Sequence, residues 1–326
     1  MPAISLPVSG ALSREPLETP VVFLIFNRPS VTTKSFASVR AARPKNLYVV
    51  ADGPRLEHPG DGAACEKARA VVEAVDWPCV VETNYSSVNL GCRGRVASGL
   101  SWAFERTSEA IILEDDCVPH PNFFHYAESL LRRYRDDERI MSISGFNPLG
   151  RTPGVGSSYH FTRQSFVWGW ATWRRAWSHY DLDMKRWPEF RDGDGMKVVH
   201  PSRRAARYWS RMMELTYQCK IDTWDYQWYF ACWLQNGLWV IPTANLVRNI
   251  GFSPDATHTT RPSPLAAVEA VDVSLPLVHP THFLPNDGYT EAFLDIVHPP
   301  LISKTRTKAW RLLDLIRADQ RRLRAK

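Results

Sequence analysis

Apolar residues in the first 145 positions fall in short continuous runs, not in alternation. Val21-Val22-Phe23-Leu24-Ile25-Phe26, Leu47-Tyr48-Val49-Val50-Ala51, Cys79-Val80-Val81-Glu82, Ala110-Ile111-Ile112-Leu113 and Ile140-Met141-Ser142-Ile143-Ser144 each have the length of a strand. The first of them, unbroken over six residues, marks a strand covered on both faces. Between them, residues 30–40, 63–75, 93–106 and 123–135 have the length and composition of helices. Ser30 is placed to cap the first of these. Strands alternating with helices predict βαβ units, hence an α/β fold with a mostly parallel central sheet flanked by helices.

The polar residues that interrupt this pattern sit at strand ends. Asn27-Arg28-Pro29 follows the first strand, Asp52-Gly53-Pro54 the second, and Glu114-Asp115-Asp116 the fourth. Carboxyl ends of parallel strands share one edge of the sheet, where ligands bind in such folds. A core strand has no packing use for consecutive carboxylates, each costly to desolvate. Hard divalent cations take carboxylate oxygens and bridge them to phosphates. The triplet therefore reads either as a metal–diphosphate site or as an acidic turn facing water. An Arg and an Asp converging on it favour the first reading.

The pattern changes after Gly145. Residues 146–260 are rich in Trp, Gly and Pro, with clusters Trp168-Gly169-Trp170-Ala171-Thr172-Trp173 and Trp224-Asp225-Tyr226-Gln227-Trp228, and 261–300 have a Pro-rich, loop-like composition. This divides the chain into a flexible N-terminus (1–19), a nucleotide-binding half (20–145), an aromatic-rich half (146–300) and a terminal helix (301–326). In that helix Leu312, Leu313, Ile316 and Leu323 fall near one face among arginines. Such a helix suits peripheral contact with an anionic membrane through 304–326, or docking on its own domain.

Charge follows the same division. The 326 residues carry a net charge of +6, but nine basic and only two acidic residues lie within 304–326. The body is close to neutral, which argues against nucleic acid as a partner. Six cysteines without a C-x-x-C pair suit a reducing compartment. No signal-peptide pattern and no run of about 18 apolar residues is visible. The expected setting is the cytoplasm, with peripheral contact at the inner face of the cell membrane if the terminal helix binds lipid and not its own domain.

VVFLIFNRPS (21–30), YVVADG (48–53), NLGCRGR (89–95), IILEDD (111–116), WGWAT (168–172), Trp224-Asp225 and NIGFSPDATHT (249–259) together resemble GT-A-type nucleotide-diphospho-sugar glycosyltransferases. The likeness is to bacterial relatives of N-acetylglucosaminyltransferase I and covers roughly 20–295. It implies a GT-A, Rossmann-like fold and an inverting, Mn²⁺- or Mg²⁺-dependent transfer from a UDP-sugar to a glycan or glycolipid of the cell envelope. It also implies Asp116 as metal ligand, Asp115 near the ribose, Glu114 beside them among the nucleotide-binding residues, Asp52 near a uracil-like base and Arg28 near the nucleotide. Arg93 and Arg95 both fall where a basic residue meets the diphosphate. Asp225 matches the catalytic base, with Tyr226 where a second acid would stand.

The chemistry is consistent without the family. A carboxylate flanked by aromatics suits proton abstraction from an acceptor hydroxyl, because apolar neighbours raise its pKa. Asp225 equally suits a helix start with its tryptophans in the core, and Asp222 is the rival base. His258 stands in a loop as a second metal ligand or a bystander. A non-catalytic carbohydrate-binding protein and a sugar nucleotidyltransferase remain the alternatives; the latter usually carries a Gly-rich basic loop after its first strand, which Asn27-Arg28-Pro29 is not.

Overall fold

The computed structural model describes residues 16–252 and 263–298. His258, the helix expected over 301–326 and most of the stretch 1–19 lie outside these residues. Strands β1 (Val21–Ile25), β2 (Asn46–Ala51), β3 (Val80–Tyr85) and β4 (Glu109–Glu114) run parallel in the order β3-β2-β1-β4. Helices Pro29–Ala42, Asp61–Val72 and Gly91–Arg106 make the three crossovers. With helices on both faces, every residue of β1 is buried, as its unbroken apolar run demands.

β5 (Cys117–Pro119) leaves the sheet directly after the acidic triplet, and β6 (Ile140–Ser144) returns to it. The aromatic-rich half adds β7 (Tyr159–Thr162), β8 (Trp170–Trp173) and β9 (Leu238–Pro242) to the same sheet, giving the order β3-β2-β1-β4-β8-β6-β9-β7. β8 is antiparallel to β4 and β6, β9 is parallel to β6, and β7 is antiparallel to β9. Six of the eight strands thus point one way, so the sheet is mixed but mostly parallel, as the sequence predicts. The change in composition at 145 runs through one sheet, since strands on either side of it pair.

Two local expectations are corrected. The helix after β1 begins at Pro29 with no side-chain cap bond, so Ser30 lies inside its first turn. Proline's fixed φ and missing N–H suit the first helical position without a cap. Within the stretch read as loop-like, Asp287–Val297 is a helix, capped by the Asn286 side chain accepting from the Tyr289 N–H at 3.0 Å. Its buried Tyr289, Phe293 and Leu294 follow a helical period, which the surrounding prolines obscure in the composition.

The core has one layer on each side of the sheet. On one side, helices Arg203–Tyr217 and Asp225–Leu234 close over a cluster of indoles. Trp170 is at its centre, with ring centroids 5.5 Å from Trp224, 5.9 Å from Trp228 and 6.5 Å from Trp239. Most tryptophans of the two sequence clusters are therefore core, and they fix the helix that begins at Asp225. No described helix is long and apolar enough to cross a membrane.

Candidate active site

Strand register decides which polar residues meet. Ile25 pairs with Ala51 and Leu24 with Glu114, so the chain leaves β1, β2 and β4 at one level of one edge. Arg28, Asp52, Glu114, Asp115 and Asp116 all line a single cavity there, of about 370 Å³. Arg95 and, from the other half of the chain, Asp222, Trp168 and Asn249 complete its wall.

At one end, Arg28 bridges two members of the acidic triplet. Its Nη2 donates to Asp115 Oδ1 at 2.5 Å and to Asp116 Oδ2 at 3.0 Å. Burial of Arg28 opposes its charge, but the two carboxylates more than offset this and hold its pKa above the ordinary value. Burial pushes Asp115 up to about 6 against the pull of Arg28. Glu114, half-buried on the wall, is raised well above the usual carboxylate range, first by burial and then by the charges of Asp116, Asp115 and Asp225.

β10 (Val247–Asn249) pairs with β5 and lays the following segment over Asp116. Asn249 Nδ2 donates to Asp116 Oδ1 at 3.3 Å, and the Ile250 N–H to the Asp116 carbonyl at 2.8 Å. A Cβ at Gly251 would collide with the Asp116 carboxylate, so only glycine lets the backbone come this close. Half-buried Trp168 packs edge-on against Phe252, at 5.6 Å between centroids. Asn249 and Trp168 lie within the motifs quoted above, but nothing local to them marks a contact with the triplet.

At the other end, Asp52 organises a loop. Its oxygens accept from the backbone N–H groups of Gly53 (2.9 Å), Leu90 (2.9 Å) and Gly91 (3.0 Å) and from Asn89 Nδ2 (3.1 Å). Gly91, with φ of 72°, turns the chain into its helix at this point. Burial raises the Asp52 pKa against these donors.

Arg55 also lines this end, where its Nε and Nη2 donate to Asp61 at 2.6 and 3.1 Å. Asn27 Nδ2 adds a third bond to Asp61 at 2.8 Å. The Arg55 guanidinium, opposed by burial and helped by Asn27, holds the Asp61 carboxyl down at about 2. Because this lies below the unfolded value of roughly 3.9, the ion pair stabilises the fold fully above about pH 4. That contribution is lost as the pH falls towards about 2. The stability gap between the natural chain and Asp61→Asn should therefore shrink across that window in urea unfolding. A gap unchanged throughout would mean that Asp61 is not an ionised partner.

The two arginines of NLGCRGR separate. Arg95 lines the cavity and is held by the Asn84 carbonyl at 2.5 Å and Asn84 Oδ1 at 2.7 Å. Arg93 instead reaches the Leu182 carbonyl at 2.9 Å and Asp183 at 3.3 Å. Asp222 is exposed on the cavity rim, its Oδ2 3.6 Å from where a Cβ on Gly91 would stand. Asp225 is the first residue of its helix and accepts from Thr223 Oγ1 and, at 3.0 Å, from the Tyr226 N–H. Its charge acts on Glu114 and on Cys92, two residues of the cavity wall.

Among the described residues no group of three or more His, Cys, Asp or Glu side chains is placed to hold a metal ion alone. Asp115 and Asp116 nevertheless present hard oxygens close enough together to share one cationic group, that of Arg28. Mg²⁺-like ions are commonly bound by one or two carboxylates, completing their shell with substrate phosphates and water. The donor set fits such an ion.

No family model matches the chain. Over 103 residues it is 30% identical to an alpha-1,3-mannosyl-glycoprotein 2-beta-N-acetylglucosaminyltransferase of Arabidopsis thaliana. Over that stretch the chain is similar to that glycosyltransferase. The matched stretch is 29% of this chain and only 22% of the plant protein's length. The resemblance read from the motifs is met by this similarity. Among solved structures, a mannosyltransferase from Pyrobaculum calidifontis in complex with GDP-Man and Mn²⁺ aligns with a TM-score of 0.39 and 12% identity, covering 68% of this chain and 70% of the other. A UDP-glucose pyrophosphorylase complexed with UDP-glucose aligns with a TM-score of 0.38 and 7% identity, covering 70% of this chain and 91% of the other.

Proposed function

We propose that the chain is an inverting, metal-dependent glycosyltransferase that moves a sugar from a UDP-sugar to a hydroxyl of a glycan or glycolipid of the cell envelope. The observation that carries this reading is the single cavity joining the Arg28–Asp115–Asp116 cluster to the Asp52 loop, with Asp222 on its rim and Asp225 acting on its wall. A nucleoside diphosphate has the same division, charged at one end and hydrogen-bonding at the other.

In this reading Asp116 holds a Mn²⁺ or Mg²⁺, with His258 as a second candidate ligand on sequence grounds. The ion, when bound, supplies charge neutralisation for the departing diphosphate. Arg28 and Arg95 add positive charge along the same wall. Asp115 lies near the ribose, with Glu114 beside it on the nucleotide-binding wall. Asp225 removes the proton of the acceptor hydroxyl as its oxygen bonds to the anomeric carbon and the bond to the diphosphate oxygen breaks. Trp168 offers an aromatic face on which a sugar ring can pack.

Thermal unfolding tests the reading directly. A UDP-sugar with Mn²⁺ should raise the Tm by mass action, and chelation of the ion should reverse most of the gain. Asp116→Ala should abolish the Mn²⁺-dependent part while leaving the circular dichroism spectrum unchanged. Cation-dependent binding that survives in this variant would remove Asp116 from the metal site. Pyrophosphate release from a nucleoside triphosphate and a sugar 1-phosphate would favour a nucleotidyltransferase instead.

A further inference from the structure

We propose that Arg28 is a built-in counter-cation that competes with the divalent ion for Asp116 and yields it only when a nucleoside diphosphate draws the guanidinium away. The ion by itself then binds weakly, and ion and nucleotide bind cooperatively. The inference rests on the metal-dependent reading above and adds to it how loading of the site is controlled.

The oxygens of Asp115 and Asp116 are already engaged. Asp115 Oδ2 accepts from the Phe26 N–H at 3.4 Å, and the Asp115 carbonyl from Ser35 Oγ at 2.7 Å. Asp116 Oδ1 accepts from Asn249 Nδ2 at 3.3 Å. The two remaining carboxylate oxygens, Asp115 Oδ1 and Asp116 Oδ2, are both bonded by Arg28 Nη2. Both aspartates are buried, and buried carboxylates without a cation are costly. Arg28 supplies that cation from within the chain.

A divalent ion needs the same oxygen of Asp116. Arg28 Nη2 lies 3.0 Å from Asp116 Oδ2, and Mg²⁺-like ions bond carboxylate oxygens at about 2.1 Å, so both on this oxygen stand within about 5 Å of each other. Repulsion between two cations is screened far less in a buried setting than in water. The oxygen is crowded as well, since a Cβ on Gly251 would collide with it. Asp116 Oδ2 therefore serves the guanidinium or the ion, not both.

Arg28 is held in a way that lets it leave. Its carbonyl accepts from the Val31 and Thr32 N–H groups at 3.0 and 2.9 Å, which fixes the backbone and confines the move to the side chain. Of the three guanidinium nitrogens only Nη2 is bonded; Nε and Nη1 have no acceptor among the described residues. The hold is thus end-on, without the two-pronged fork that guanidinium forms with phosphate. A diphosphate entering the cavity that Arg28 lines offers that fork. Asp116 Oδ2 then passes to the ion, which the same diphosphate also ligates, and Asp115 Oδ1 is released to accept from ribose hydroxyls. Each ligand favours the arrangement that the other requires, so the coupling is reciprocal.

The test measures Mn²⁺ binding to the full chain by electron paramagnetic resonance of the free ion, with and without UDP and corrected for the Mn²⁺–UDP complex in solution. In the natural chain UDP should tighten Mn²⁺, and Mn²⁺ should tighten UDP, by one and the same factor of about tenfold or more. Arg28→Gln keeps amide donors but loses the charge. It should bind Mn²⁺ alone about tenfold tighter than the natural chain, with the coupling to UDP reduced. Arg28→Lys, still cationic, should bind Mn²⁺ alone as weakly as the natural chain. A crystal structure of the natural chain with UDP and Mg²⁺ should show Arg28 on the diphosphate and off Asp116 Oδ2, an arm that stands even if Arg28→Gln fails to fold. Three outcomes overturn the proposal and leave the metal-dependent reading intact: no gain in Mn²⁺ affinity in Arg28→Gln, an equal gain in Arg28→Lys, or Arg28 still bonded to Asp116 Oδ2 beside the bound ion. No Mn²⁺ binding by the natural chain even with UDP overturns both.

Discussion

Asp225→Asn is expected to lower turnover on the order of 10²–10⁴-fold while changing donor affinity little. Asparagine keeps the size of the side chain and can still accept from the Tyr226 N–H and Thr223 Oγ1, the partners that orient Asp225. It cannot take a proton from the acceptor hydroxyl. The start of helix Asp225–Leu234 is built on Trp224 and Trp228, both buried, so the substitution should leave the fold alone. Steady-state rates with a UDP-sugar, set beside nucleotide binding by calorimetry, separate the two effects. Asp222→Asn is the matched comparison, since Asp222 lines the cavity directly. A full loss in Asp222→Asn with little change in Asp225→Asn would transfer the base to Asp222. An equal fall in donor affinity would make Asp225 a binding or structural residue.

Trp170→Ala should cost about 3–5 kcal/mol of stability, the range for truncating a large buried aromatic side chain. Trp170 is fully buried, and its ring lies within 6.5 Å, centre to centre, of Trp177, Trp224, Trp228 and Trp239. Removing it opens a void that four rigid indoles cannot readily collapse to fill. A loss of this size is a large part of the total stability of a typical domain, about 5–15 kcal/mol, and should appear as a lower urea midpoint. Trp224 and Trp228 flank Asp225, so turnover at a temperature where the variant is still folded should fall as well. A loss below about 1 kcal/mol would mean that the cluster repacks and does not hold that helix in place.

The first half of the fold was legible because its information is local. An uninterrupted apolar run such as Val21–Ile25 can be satisfied only by burial on both faces, which requires helices above and below and therefore a parallel sheet. Three carboxylates closing such a run mark a strand end that does something other than pack. The strands of the second half were not legible. Trp170–Trp173 is four residues long and lies in an aromatic stretch that reads as core or as binding surface with equal ease. Its membership of the sheet comes from pairing with β4 and β6, far away in the chain.

The same division holds within the candidate site. The sequence by itself determined that Arg28, Asp52 and the triplet stand at carboxyl ends of parallel strands and so on one edge of the sheet; that the three strands are neighbours is set by the tertiary pairing. Tertiary structure alone decided what each side chain is free to do. Asp52 is engaged by three backbone N–H groups and Asn89, Arg95 turns to the cavity while Arg93 turns to Asp183, and Arg28 neutralises Asp115 and Asp116. Asp52 likewise engages Asn89 Nδ2, and Asp61 the Nε and Nη2 of Arg55. Hydrogen-bond capacity is a property of the assembled surroundings: a sequence lists donors and acceptors, but strand register and loop approach, set by residues far apart in the chain, determine which of them remain for a ligand.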